Sequence, residues 1–96
     1  MNYSQKDLDK EVKQFEKITQ ELVSMKRNKG MDYGNSWSIL GLEGVVYQIG
    51  SKFIRIFNLR HKDPKNESLR DSFIDLATYA IMGAQLLDNN DTKPKI

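Results

Sequence analysis

The chain has 96 residues, 39% of them apolar, and a formal net charge of +2; that length holds one domain, with a core too small to be comfortable alone. It has no cysteine and a single histidine, His61, which excludes disulfides, thiolate nucleophiles, cysteine-based metal sites and a multi-histidine site within one subunit. No stretch approaches a membrane span, Met1-Asn2-Tyr3-Ser4-Gln5-Lys6-Asp7 has no signal-peptide apolar region, and the charge excess is too small to suggest a nucleic-acid binder, so a cytoplasmic protein without membrane partners is expected.

In chain order, Ser4 and Asp7 have the spacing of a capping box, and Leu8, Val12, Phe15, Leu22 and Met25 recur at helical spacing behind them. This predicts a first helix over 5–29, with Lys26, Arg27 and Lys29 complementing the dipole of its last turn and Gly30 as a left-handed cap. Leu42, Val46, Ile49, Phe53 and Ile56 mark a second helix over 42–61. Gly44 and Gly50 lie inside it, each costing roughly 1 kcal/mol of helix stability against Ala, so close approach of a helix or a ligand is expected there. Asp63-Pro64 breaks the pattern. A third helix over 66–88 presents Leu69, Phe73, Leu76, Ala80, Ala84 and Leu87 on one face, and 89–96 reads as a flexible tail after a single helical domain over 1–88.

The second and third helices also carry Tyr47, Ile54, Phe57, Ile74, Ile81, Met82 and Leu86 off these stripes. A three-helix monomer has no second core for them, so the expected fold is all-α, a three-helix unit assembling as a homo-oligomer, dimer or tetramer, into a larger helical bundle.

Three groups of residues carry the candidate chemistry. The segment Asp32-Tyr33-Gly34-Asn35-Ser36-Trp37 suits a turn anchored by Trp37 and capped by Asn35 or Ser36, and equally a loop that stacks a nucleobase on Tyr33 or Trp37 and contacts phosphate. Lys52 and Arg55, three residues apart at the edge of the apolar stripe, suit phosphate as point charge and bidentate fork, or pairing with carboxylates of another helix. Glu67, Asp71 and Asp75 share one face of the third helix, as a solvated acidic ladder, as Mg²⁺ ligands or as partners for Lys52 and Arg55.

Three blocks, Lys29-Gly30-Met31-Asp32-Tyr33-Gly34-Asn35-Ser36-Trp37, Gly44 to Arg55 and Glu67 to Met82, occur in the order found in the nucleotide modification associated domain 1 family, which the chain closely resembles over about residues 10–87. The resemblance implies a helical, nucleotide-associated protein of a kind widespread in phages and bacteria. It invites comparison with all-helical, Mg²⁺-dependent nucleoside triphosphate pyrophosphohydrolases, which hold metal with Glu-x-x-Glu and Glu-x-x-Asp pairs. Here Glu11, Glu16 and Glu21 are spaced by five, and Glu67, Asp71 and Asp75 by four, so neither pattern is met.

The reading that follows is a binder of a phosphate-containing nucleotide, expected to be cyclic. It would act in a host cell's cytoplasm as a phage anti-defence sponge, with Tyr33, Asn35, Ser36, Trp37, Lys52 and Arg55 as ligand contacts, no catalytic residues and no cofactor. The alternatives are a Mg²⁺-dependent pyrophosphohydrolase centred on Glu67, Asp71 and Asp75, and a purely structural assembly partner.

Overall fold

A computed structural model describes residues 2–63, 65 and 67–96. Two sequence expectations fall partly outside them: the break at Asp63-Pro64 and the third helix's first residue, Asn66. The described residues form α1 (Gln5–Tyr33), a 3-10 turn (Ser36–Ser38), α2 (Gly41–Leu59) and α3 (Glu67–Asp88), with no strand. None of these helices is long and apolar enough to cross a membrane. The chain separates between Asp32 and Tyr33 into two compact units.

The first unit is the body of α1. Its start is the expected capping box: the Asp7 amide donates to Ser4 Oγ at 3.2 Å, and the Ser4 amide and hydroxyl both donate to Asp7 Oδ2 at 3.0 Å. These bonds hold the Asp7 carboxyl below its usual pKa. The predicted stop was four residues early, because Gly30 is helical and the first left-handed residue is Gly34, at φ +57°. Lys26, Arg27 and Lys29 accordingly precede the last turn, which holds no basic residue. Leu8, Val12 and Phe15 of the expected stripe are exposed.

In the second unit α2 and α3 pair antiparallel: Val45 meets Gly83, Lys52 meets Asp75 and Arg55 meets Ser72, rising along one helix and falling along the other. Part of each expected stripe is displaced by one residue at the seam, while Leu42, Ile49 and Ile56 on α2 and Leu69 and Leu76 on α3 are half-buried as expected. Val45 is buried and Val46 is not; Ser72, Gly83 and Leu86 are buried where Phe73, Ala84 and Leu87 were expected. One residue is about 100° of rotation. At this seam Val45 packs beside Gly83, its Cγ1 3.6 Å from where a Cβ would lie, an ordinary contact distance, while the bulkier Phe53 and Phe73 stay outside it and exposed. Ser72 can be buried because its hydroxyl is satisfied twice, donating to the Ser68 carbonyl at 2.7 Å and accepting from Arg55 Nε at 3.0 Å.

The segment after α3, expected as a flexible tail, is tied down. Asn90, at φ +52°, ends α3 in a Schellman turn, its amide reaching the Leu87 carbonyl at 3.2 Å and the Asp91 amide reaching Leu86 at 2.8 Å. The tail then crosses the start of α2. The Leu42 amide donates to the Thr92 carbonyl at 2.9 Å, and the Lys95 amide to the Ile39 carbonyl at 2.8 Å. Gly41, at φ +69°, is the residue this crossing requires: a Cβ there would strike the Thr92 carbonyl oxygen and lie 2.7 Å from Lys93 and 2.9 Å from Pro94.

Candidate functional site

The loop between α1 and α2 is built by Gly34, whose positive φ turns the chain, and by a short helical turn closed by Ser38 N–H and Oγ donating to the Asn35 carbonyl at 3.0 and 2.9 Å. Asn35 makes no side-chain cap. Tyr33, Asn35 and Ser36 are exposed, while Trp37 is half-buried. The segment thus offers an exposed phenol and two exposed polar side chains close in sequence to a half-buried indole, groups suited to stacking and hydrogen bonding.

Beside it, Lys95 was not singled out from sequence. Its ammonium donates to the buried Ser38 Oγ at 2.9 Å and pairs with Asp91 Oδ2 at 3.0 Å, which brings a cation to the loop. No local pattern could have revealed it, since Ser38 and Lys95 lie 57 residues apart. The start of α2 is also less open to an anion than its sequence suggested, because the Leu42 amide is taken by the tail carbonyl.

Lys52 and Arg55 lie further along α2 at the seam with α3. Lys52 Nζ is 3.2 Å from Asp75 Oδ2, an ion pair open enough to water to contribute at most about 1 kcal/mol. Arg55 is exposed and anchored through Nε to Ser72, and among the described residues no carboxylate pairs with it. The fork is therefore fixed at its base, with its terminal nitrogens available for phosphate.

Loop and cations do not meet along one α2. At 1.5 Å of rise per residue, Lys52 and Arg55 stand about 16 and 21 Å along the axis from Gly41. Of the acidic ladder, Asp75 is bound to Lys52 while Glu67 and Asp71 are exposed. Among the described residues no three His, Cys, Asp or Glu side chains converge to hold a metal ion.

Fold and candidate site together define a small all-helical protein with a hydrogen-bonding aromatic loop and a separate cation pair. Residues 29–86, well over half of the chain, match the family model for nucleotide modification associated domain 1, and the chain belongs to that family. No curated protein and no solved structure matches it. The matched span contains the loop, the cation pair and the carboxylate ladder; the tail with Lys95 lies beyond it.

Proposed function

We propose that the protein binds a phosphate-containing nucleotide between subunits and sequesters it intact, as a sponge for a cyclic nucleotide signal of host immunity in the manner of phage anti-defence proteins. The observation that carries this reading is Arg55, anchored by a buried serine hydroxyl, with Lys52 one turn before it and, among the described residues, no carboxylate on its fork. The planar guanidinium can donate two parallel N–H bonds to a pair of phosphate oxygens, so an anionic phosphate is an acceptor that such a fork recognises well. Tyr33 and Trp37 supply stacking faces, and Asn35 and Ser36 supply hydrogen bonds to a base or ribose. The axial gap between loop and cations favours a ligand shared by two copies, each giving one half of the contacts. Membership in a nucleotide-associated family supports the ligand class.

The test incubates the protein with nucleoside triphosphates and with cyclic di- and trinucleotides, with and without Mg²⁺, then denatures it by heat and separates the products. Sequestration returns the ligand intact, and EDTA leaves the affinity unchanged. Multiple-turnover, Mg²⁺-dependent release of pyrophosphate or monophosphate would overturn it in favour of a hydrolase using Glu67, Asp71 and Asp75, in which Asp71→Ala abolishes turnover.

A further inference from the structure

We infer that the apolar face left uncovered by the α2–α3 hairpin is a dimerisation surface, and that a second copy of this chain covers it with the two α2 helices antiparallel. The seam displacement creates the face. With Val45, Lys52 and Ile56 turned toward α3, the stripe Val46, Gly50, Phe53 and Phe57 is exposed, Val46 at 56%, Phe53 at 60% and Phe57 at 52%. On α3 the corresponding stripe is Phe73, Ala80, Ala84 and Leu87, also exposed. In an antiparallel pair of right-handed helices, stripes rotated the same way from the seam lie on the same side of the hairpin, so the two form one face. On the α2 stripe Val46, Phe53 and Phe57 offer on the order of 300 Å², against roughly 800 Å² per partner in a stable interface. The α3 stripe adds a comparable apolar area, chiefly through Phe73 and Leu87.

The stripe's own order identifies the occupant. Positions 43, 46, 50, 53, 57 and 60 follow alternating steps of three and four, the seam of a coiled coil, and read Glu, Val, Gly, Phe, Phe, Arg. The stripe is complementary to itself in reverse. A twofold axis passing between Ser51 and Lys52 sets Glu43 against the partner's Arg60, Val46 against the partner's Phe57 and Gly50 against the partner's Phe53.

Gly50 is otherwise unexplained: it sits mid-helix with nothing within 4 Å of where its Cβ would be, so no contact within this chain uses its small size. A phenylalanine ring from a partner does. Arg60, whose guanidinium lies 3.8 Å over the Phe57 ring, is already held at the edge of the stripe. The hairpin supplies a second check on register. The Lys52–Asp75 pair puts the same axis level with Leu76, so Phe73 comes opposite the partner's Ala77 and Ala80, again a ring against small side chains.

Sedimentation of the full chain at micromolar concentration tests this directly and without any nucleotide, so its outcome is separate from that of the ligand reading. A dimer, or an even multiple of one, is expected, and a monomer at tens of micromolar overturns the proposal. Phe53→Asp is expected to yield folded monomer. Because that variant could also fail to fold, two surface tests accompany it. Glu43→Arg alone is expected to weaken self-association about tenfold by facing arginine with arginine, and Glu43→Arg with Arg60→Glu to restore it; no restoration refutes the pairing. The chain lacks cysteine, so Glu43→Cys with Arg60→Cys is expected to form an intersubunit disulfide on oxidation. Glu43→Cys alone is expected to form none, since the axis holds the two copies of residue 43 about 26 Å apart. Crosslinking by the single variant would mean parallel helices and defeat the antiparallel assignment.

Discussion

Gly41→Ala tests whether the tail closes the start of α2. The substitution acts twice. An L-residue at φ +69° in the left-handed region costs about 1 to 2 kcal/mol relative to glycine. The new Cβ also occupies space held by Thr92, Lys93 and Pro94, all backbone, so the tail must leave. Its departure removes the bonds from the Leu42 and Lys95 amides, each contributing about 0.5 to 1.5 kcal/mol. The expected destabilisation is about 2 to 5 kcal/mol, a large part of the margin of a domain this size. Chemical denaturation measures the total, and hydrogen exchange at the Leu42 amide reports the tail. A chain ending at Asp91 separates the two contributions, because without the tail Gly41→Ala retains only the backbone strain. Equal destabilisation by Gly41→Ala in the full-length and shortened chains would refute the crossing.

Three further outcomes are expected. Lys52→Ala and Arg55→Ala should each weaken nucleotide binding by about 1.5 to 3 kcal/mol while leaving far-UV circular dichroism unchanged, and unchanged calorimetric affinity in both would remove the cations from the site. Ser72→Ala should destabilise the hairpin by about 1 kcal/mol and release Arg55, seen as faster exchange of its Nε proton in NMR spectra. Asp7 has a folded pKa depressed by its bonds to Ser4, so its contribution to the start of α1 is complete above the ordinary carboxylate range and is lost as pH falls through the folded value. Acid titration should therefore fray the Ser4 to Leu8 amides first, and Asp7→Asn should abolish that pH dependence.

The helices and their starts were legible because their signals are local. Ser4 and Asp7 recognise each other three residues apart, and the periodicities behind Leu42 and Leu69 require a helix wherever they are placed. The same local character misplaced the end of α1, since Gly30 and Gly34 are equally able to turn left-handed and only the loop's position selects Gly34. The candidate loop and the Lys52–Arg55 pair were also visible, being a run and a single-turn spacing. Their separation became evident once Gly41 to Arg55 were seen to run in one continuous helix, with the loop at its start and the pair well along it.

Which face of α2 and α3 packs inward was not decidable from periodicity, because apolar residues stand on both sides of the boundary: Val45 beside Val46, Phe73 beside Ile74, Leu86 beside Leu87. The choice depends on tertiary packing, in which Val45 lies against Gly83 and a buried serine hydroxyl is satisfied by an arginine from the other helix. The tail is the extreme case. Gly41 with Thr92 and Ser38 with Lys95 join residues more than fifty apart in sequence, and only the folded hairpin brings them within reach of a hydrogen bond.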